Sequence, residues 1–231
     1  MNIIAASDLH GVVGLDELGV GAGDVCILAG DIAPLYSVDA VGKIEQEAWV
    51  DDILVPFVRD HSDTEFVIVP GNHDFWGESC YDLRNRLPQN AHLLVNSECV
   101  VDGVRFYGMP FVPPISGRWA FERGSMAMTA ACDSIPSDID VLVTHTPPYV
   151  PGANIDVSIA HYRDGSKIRH LGSDILADAV RRVRPRYLFC GHIHTGEHEP
   201  VVCGETKCFN VSLIDENYEK AYRPLRMKVF S

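Results

Sequence analysis

Residues 3–10 read IIAASDLH: four apolar residues are followed by Ser7 and then by the carboxylate of Asp8 and the imidazole of His10. A short, continuous apolar run bounded by polar residues is typical of a strand buried on both faces of a sheet. Four similar runs follow, at residues 25–28, 66–69, 141–143 and 187–190. The sequence therefore predicts at least five buried strands.

Segments with helical spacing separate these strands. In residues 38–59 one helical face would carry Val41, Ile44, Ala48, Ile53 and Phe57, and in residues 173–183 it would carry Ile175, Leu176, Ala179, Val180 and Val183. Strands that alternate with helices predict an α/β fold. Asp102-Gly103 predicts a hairpin within residues 99–108, and further antiparallel strands are expected at 201–203, 208–212 and 225–230. Because no linker or composition break divides the chain, we expect one domain over residues 1–231.

Composition restricts the class of protein. The formal net charge is −13 and the pI is near 5.1, which disfavours nonspecific binding to the phosphate backbone of nucleic acid. The chain has no apolar run of eighteen residues and no visible secretory signal, and its seven cysteines are scattered. We therefore expect a soluble, cytoplasmic protein with no membrane partner.

Five polar clusters carry the chemistry. They are DLH at residues 8–10, GD at 30–31, GNHD at 71–74, THTPP at 144–148 and GHIH at 191–194, and each directly follows a predicted strand. In open α/β sheets the loops after the carboxyl ends of the strands meet at one edge. Any one of these residues alone is more often structural, but their joint placement favours a single shared site.

The side chains in these clusters form a set of metal ligands: Asp8, His10, Asp31, Asn72, His145, His192 and His194. Seven ligands are too many for one tetrahedral ion, whereas they suit two divalent ions that share a carboxylate. Oxygen and imidazole donors without thiolate suit manganese, iron or zinc. His73 and Asp74 remain for catalysis.

In this order the clusters resemble the calcineurin-like metallophosphoesterase superfamily, whose pattern is DxH, GD, GNH(D/E), a lone His and GHxH. The resemblance covers residues 3–212, and residues 106–110, 144–148, 184–187 and 209–212 are similar to its small single-domain phosphodiesterase-like branch. It implies two mixed β-sheets packed as a sandwich between helices. It also implies that Asp8, His10, Asp31 and His194 bind one ion and that Asp31, Asn72, His145 and His192 bind the other, with Mn²⁺ favoured over Fe or Zn²⁺.

The resemblance further implies hydrolysis of a phosphodiester, such as a cyclic nucleotide or another small molecule, by a hydroxide that bridges the two ions. His73 would protonate the leaving oxygen or stabilise charge there, and Asp74 would orient its imidazole. The alternatives are a phosphomonoesterase or protein phosphatase of the same superfamily, a noncatalytic metal-binding scaffold and, less favoured, a nuclease. Phe75, Trp76 and Trp119 are candidates to stack on a nucleobase, although core packing is favoured for them.

Overall fold

Two β-sheets account for most of the regular backbone in the computed structural model, which describes residues 1–79, 85–150, 157–161, 168–194 and 198–229. The strands are β1 (Asn2–Ala6), β2 (Asp24–Ala29), β3 (Glu65–Val69), β4 (Ala91–Leu93), β5 (Ser97–Val101), β6 (Val104–Met109), β7 (Val141–Thr144), β8 (Ile159–His161), β9 (Ile168–His170), β10 (Tyr187–Cys190), β11 (Val201–Cys203), β12 (Thr206–Asn210) and β13 (Leu225–Lys228). The helices are α1 (Ala40–Trp49), α2 (Val55–Asp60), α3 (Ser125–Asp133) and α4 (Asp174–Val183). Within the described ranges no helix combines the length and the apolar character needed to cross a bilayer.

Both sheets are mixed, as predicted. The first has the order β13-β1-β2-β3-β4, in which β1 to β4 are parallel and β13 is antiparallel at the edge. The second has the order β11-β12-β10-β7-β6-β5, with four parallel strands in the middle and an antiparallel strand at each edge. The predicted hairpin is confirmed, because Val101 pairs with Val104 and both Asp102 and Gly103 have positive φ.

Three apolar clusters arrange these elements in four layers. The middle cluster lies between the sheets and includes Ile3 and Ile27 of the first sheet together with Val143 and Phe189 of the second. A second cluster packs the outer face of the first sheet against α2, and a third packs the outer face of the second sheet against α3 and α4. Strands covered on both faces are expected to be apolar throughout. The predicted sandwich flanked by helices is confirmed.

Of the predicted apolar face of the first helical segment only Phe57 packs against the core, and the prediction is wrong for the other four residues. Val41 and Ile44 are 61% and 69% exposed, and Ala48 and Ile53 are also exposed. The residues that turn inward instead include Gln46, Val50, Leu54 and Val58. A π-helical turn, Val50–Leu54, joins α1 to α2 and shifts the register of the second half. The buried Gln46 amide makes two hydrogen bonds near the candidate site, which explains why a polar residue occupies an inward position.

Candidate metal centre

The seven predicted ligands meet at the edge where the two sheets join. They follow β1 (Asp8 and His10), β2 (Asp31), β3 (Asn72), β7 (His145) and β10 (His192 and His194), which is the placement predicted from the five polar clusters. Two backbone hydrogen bonds join the sheets here: Ser7 N–H donates to the Val211 carbonyl at 2.9 Å, and Leu213 N–H donates to the Ser7 carbonyl at 3.1 Å. Residues almost 190 positions apart in the chain are thus brought to one place.

The first ligand group is Asp8, His10 and His194, which we call the Asp8 group. One candidate ligand atom from each lies within 4.8 Å of the others, and His194 Nε2 is 3.3 Å from Asp8 Oδ1. The Asp8 carboxylate also accepts hydrogen bonds from Ser7 Oγ at 2.6 Å and from His192 N–H at 3.0 and 3.1 Å. Among the described residues neither ring nitrogen of the buried His10 has a hydrogen-bond partner. A cation bound to His10 would relieve that cost.

The second ligand group is Asp31, His145 and His192, which we call the Asp31 group, and their candidate ligand atoms also lie within 4.8 Å of one another. His145 Nδ1 is 3.0 Å from the Ala29 carbonyl, so Nδ1 must carry the hydrogen. Nε2 then faces Asp31 Oδ2 at 3.2 Å and Asn72 Oδ1 at 3.1 Å. In a neutral imidazole this would place one lone pair against two oxygens, an arrangement that needs a proton or a cation between them.

Asp31 lies in contact with both groups. Its Oδ2 atom is 3.2 Å from His145 Nε2 and 3.5 Å from His10 Nε2. Its Oδ1 atom accepts the His73 N–H at 2.7 Å. The carboxylate thus connects the two groups while its second oxygen is held by the backbone.

The pKa values follow from burial and from these contacts. Burial alone would raise the pKa values of Asp8 and Asp31, but the neighbouring imidazoles of His194 and His145 outweigh it and lower both. Burial lowers the pKa of His10 to about 4 and that of His192 to about 3. Charged carboxylates and neutral imidazoles are the protonation states that metal binding requires.

His145 differs because Asp31 raises its pKa to about 9 against the effect of burial. Without a metal, a proton on Nε2 therefore separates the ring from the two oxygens. A cation would take the place of that proton, so metal binding here releases protons.

The backbone at the ligands is in an unusual conformation. Asp8, His10, Asp31 and His192 have φ of 53°, 49°, 53° and 69°, in the left-handed region that Asp, Asn and His tolerate better than most residues. Gly30 has φ of 99°, and a Cβ atom there would collide with the His145 ring. Such strain is typical of sites where geometry is set by function.

His73 faces the cleft beside the ligands. Its ring centroid is 4.8 Å from that of His10 and 4.2 Å from that of Trp119. Its backbone is fixed on both sides, since its N–H donates to Asp31 and its carbonyl accepts from Gln46 Nε2 at 2.6 Å. Burial lowers the pKa of the His73 imidazole.

The Asp74 carboxylate is held by backbone N–H groups and by an indole N–H. Its fully buried carboxylate accepts N–H groups of Ile32, Ala33 and Gly71 and the indole N–H of Trp76, at 2.8 to 3.1 Å. Burial and the charge of Asp31 raise its pKa to about 6. Its recorded hydrogen bonds join the 71–74 loop to the loop after β2, and the prediction that it orients the His73 imidazole stays untested.

A cleft of about 450 Å³ opens over the centre. Asp31, Asn72, His73, His192 and His194 line its floor, and Leu35, Tyr36, Ile115, Trp119 and Tyr218 line its rim. Phe75 and Trp76 are buried in the core, as favoured, whereas Trp119 lies in the cleft. Sequence reasoning missed Gln46 and Tyr218. Neither follows a ligand motif directly, and only the folded backbone brings them to the site.

The sandwich and its paired ligand groups are those of a metallophosphoesterase. The chain belongs to the calcineurin-like phosphoesterase family, whose model matches residues 1–196. Human metallophosphoesterase domain-containing protein 1 is 29% identical over 245 residues, which cover 96% of this chain and 69% of that protein.

Two solved structures show the same fold. TT1561 of Thermus thermophilus is 16% identical with a TM-score of 0.62, covering 93% of this chain and 89% of that one. The phosphopantetheinyl hydrolase of Mycobacterium tuberculosis is 17% identical with a TM-score of 0.59, covering 97% and 95%.

Proposed function

We propose that this protein is a phosphodiesterase with a binuclear metal centre. Asp8, His10, Asp31 and His194 would hold one ion, and Asp31, Asn72, His145 and His192 would hold the other. The observation that carries this assignment is His145, whose Nδ1 is fixed on a carbonyl and whose Nε2 faces two oxygens. The two ring nitrogens of His10, which accept or donate no hydrogen bond within the described part of the chain, support the other half. We propose Mn²⁺ as the native ion, with Fe and Zn²⁺ as alternatives.

When bound, the two cations supply Lewis-acid chemistry, since they lower the pKa of a water molecule and offset charge on the phosphoryl oxygens. The residues of the chain orient the ester. His73 stands beside the ligands at the cleft, where it meets the leaving oxygen. Burial lowers the pKa of its imidazole, so the protonated ring is a stronger acid that would give its proton to that oxygen and regain one from solvent. The neutral ring would instead donate an N–H hydrogen bond that stabilises charge there.

Gln46 and Asp31 keep His73 in place. The Gln46 amide donates to the His73 carbonyl and accepts the Trp76 N–H at 3.2 Å, so it connects helix α1 to the loop after β3. Asp31 accepts the His73 N–H and also contacts both ligand groups. His73 is therefore positioned by the same carboxylate that contacts both ligand groups.

The size of the cleft supports a small phosphoester as the substrate, in accord with the resemblance to the phosphodiesterase-like branch. The acidic surface disfavours nucleic acid. No disulfide joins any two of the described cysteines, which supports a cytoplasmic location. A phosphomonoesterase or protein phosphatase of the same family is the second candidate, and a noncatalytic metal-binding scaffold is the third.

Parallel assays with bis(p-nitrophenyl) phosphate and p-nitrophenyl phosphate test the proposal. The metal-free protein is loaded with Mn²⁺, Fe²⁺ or Zn²⁺, and bound metal is counted by elemental analysis. We expect two ions per chain and a larger kcat/KM for the diester, both lost on chelation. A preference for the monoester would favour the second candidate, and a metal-loaded chain inactive on both esters would favour the scaffold.

A further inference from the structure

Two aromatic side chains, Trp119 and Tyr218, line the cleft and belong to loops that contain no predicted metal ligand. Trp119 lies in the connection between β6 and α3, and Tyr218 lies between β12 and β13, beyond the part of the chain that the family model matches. Both line the same cleft. Trp119 is partly buried, and Tyr218 is 38% exposed, so part of each ring is available for contact.

Each ring is fixed close to the metal centre. The Trp119 ring packs on His73 with centroids 4.2 Å apart and lies 6.2 Å from Phe75. The Tyr218 ring contacts His10 at 5.1 Å and His194 at 5.0 Å. Trp119 therefore contacts the predicted catalytic histidine, whereas Tyr218 contacts two predicted metal ligands of the Asp8 group.

The Trp119 loop is tied to a predicted ligand. Ala120 N–H donates to the Asn72 carbonyl at 3.0 Å. Glu122 Oε1 accepts the N–H groups of Ile115 and Ser116 at 3.0 and 2.8 Å, which closes the loop. The indole thus keeps its position relative to Asn72.

The turn that carries Tyr218 is closed by its own hydrogen bonds and is anchored on the segment after β1. Asp215 Oδ1 accepts the N–H groups of Asn217 and Glu219 at 2.8 and 3.0 Å, and Tyr218 N–H donates to the Asp215 carbonyl at 3.0 Å. Tyr218 has φ of 61°, an uncommon conformation for a bulky residue that other contacts must stabilise. Leu213 N–H donates to Ser7, the residue before Asp8, so this turn is anchored beside the Asp8 group.

We propose that Trp119 and Tyr218 form a slot that binds a flat, unsaturated ring carried by the substrate, and that the slot selects aryl or nucleobase phosphoesters over alkyl ones. This inference rests on the proposed hydrolysis of a small phosphoester. Aromatic faces are attractive surfaces for planar rings, and stacking on one such side chain changes affinity by roughly fivefold to a hundredfold. The exposed Leu35 and Ile115 extend the apolar rim for the rest of the group.

Equilibrium binding tests the slot without turnover. Isothermal titration of the Mn²⁺-loaded protein compares phenylphosphonate, cyclohexylphosphonate and methylphosphonate, which share the phosphoryl group and differ in ring shape. We expect phenylphosphonate to bind about tenfold more tightly than the other two. A comparison of adenosine 5′-monophosphate with ribose 5-phosphate then shows whether the slot prefers a nucleobase or a simple aryl group.

The variants are Trp119→Ala, Tyr218→Asn and Tyr218→Phe. Asn suits the positive φ at 218 while removing the ring, and Phe keeps the ring while removing the hydroxyl. We expect the first two to lose the phenyl preference while they stay folded and keep their methylphosphonate affinity and metal content, and Tyr218→Phe to retain the preference. Val100→Ala, on an exposed strand position, is the control and should match the parent.

Equal affinities for the three phosphonates in the parent, or a phenyl preference that survives both ring removals, would overturn the slot. A phenyl preference in a protein that hydrolyses no ester would support the slot and contradict the proposed hydrolysis. Hydrolysis of aryl and alkyl diesters with equal kcat/KM would support the proposed hydrolysis and contradict the slot.

Discussion

The Asp31 group and the Asp8 group offer similar ligands but are held in different ways. In the Asp31 group the His145 side chain is fully buried and its Nδ1–H is bound to the backbone of β2. In the Asp8 group the His194 side chain is 12% exposed at the cleft, and Asp8 depends on Ser7 Oγ and a loop N–H. His145 is thus held by the backbone of the sheet, whereas Asp8 and His194 depend on side-chain and loop contacts and His194 reaches solvent. We expect the ion at the Asp8 group to exchange more readily.

Asp31→Asn should have the largest effect because it removes the carboxylate that contacts both groups. We expect both ions to be lost and hydrolysis to fall to the rate of the metal-free protein. Elemental analysis after desalting measures the metal, and circular dichroism controls for folding. Two tightly retained ions would show that the two groups bind metal independently of Asp31.

His73→Ala tests whether catalysis can be separated from both groups. The side chain faces the cleft, so both ions should remain bound while kcat falls by about 10² to 10⁴. Phosphodiester turnover is measured together with metal content. Full turnover with two ions bound would refute the role of His73 as proton donor.

His145→Ala and His194→Ala test whether the backbone contact of His145 makes the Asp31 group the more important one for stability. Each should cost one ion, but His145→Ala also leaves the buried Ala29 carbonyl without its donor. That orphaned group costs about 1–3 kcal/mol. Urea unfolding of both metal-free variants should show the larger loss for His145→Ala, and equal losses would contradict the backbone argument.

Ser7→Ala should have the smallest effect and should be confined to one group. It removes the hydroxyl that donates to Asp8 Oδ2, and changes to such supporting contacts typically weaken metal affinity by about 10- to 100-fold. In a chelator competition we expect only the weaker of the two binding steps to shift. A shift in both steps would indicate that Ser7 acts on the whole centre.

The predictions that succeeded rest on local signals. Each ligand motif directly follows an apolar run, and parallel strands bring their carboxyl ends to one edge, so Asp31 lies beside Asp8 in the first sheet and His192 lies beside His145 in the second. The backbone hydrogen bonds of Ser7 join the two sheets at that edge. The Asp102-Gly103 hairpin is likewise encoded in adjacent residues. Whether residues 1–231 form one domain stays a prediction.

The predictions that failed or were missing depend on long-range contacts. The apolar spacing of Val41 and Ile44 is real, yet helix α1 turns Gln46 inward because its amide meets His73 and Trp76. Periodicity cannot report a hydrogen bond across 27 residues. Tyr218 reaches the cleft through a turn anchored on Ser7, which no local pattern encodes.

The left-handed backbone at four of the ligands restricts any redesign of this centre. At Asp8, His10, Asp31 and His192 a β-branched or bulky replacement is opposed by its own main chain, whatever ion is supplied. A combinatorial library at these positions should therefore recover Asn, Asp, His and Gly before any other residue. Attempts to change the metal preference have more freedom at Asn72, His145 and His194, whose φ values impose no such filter.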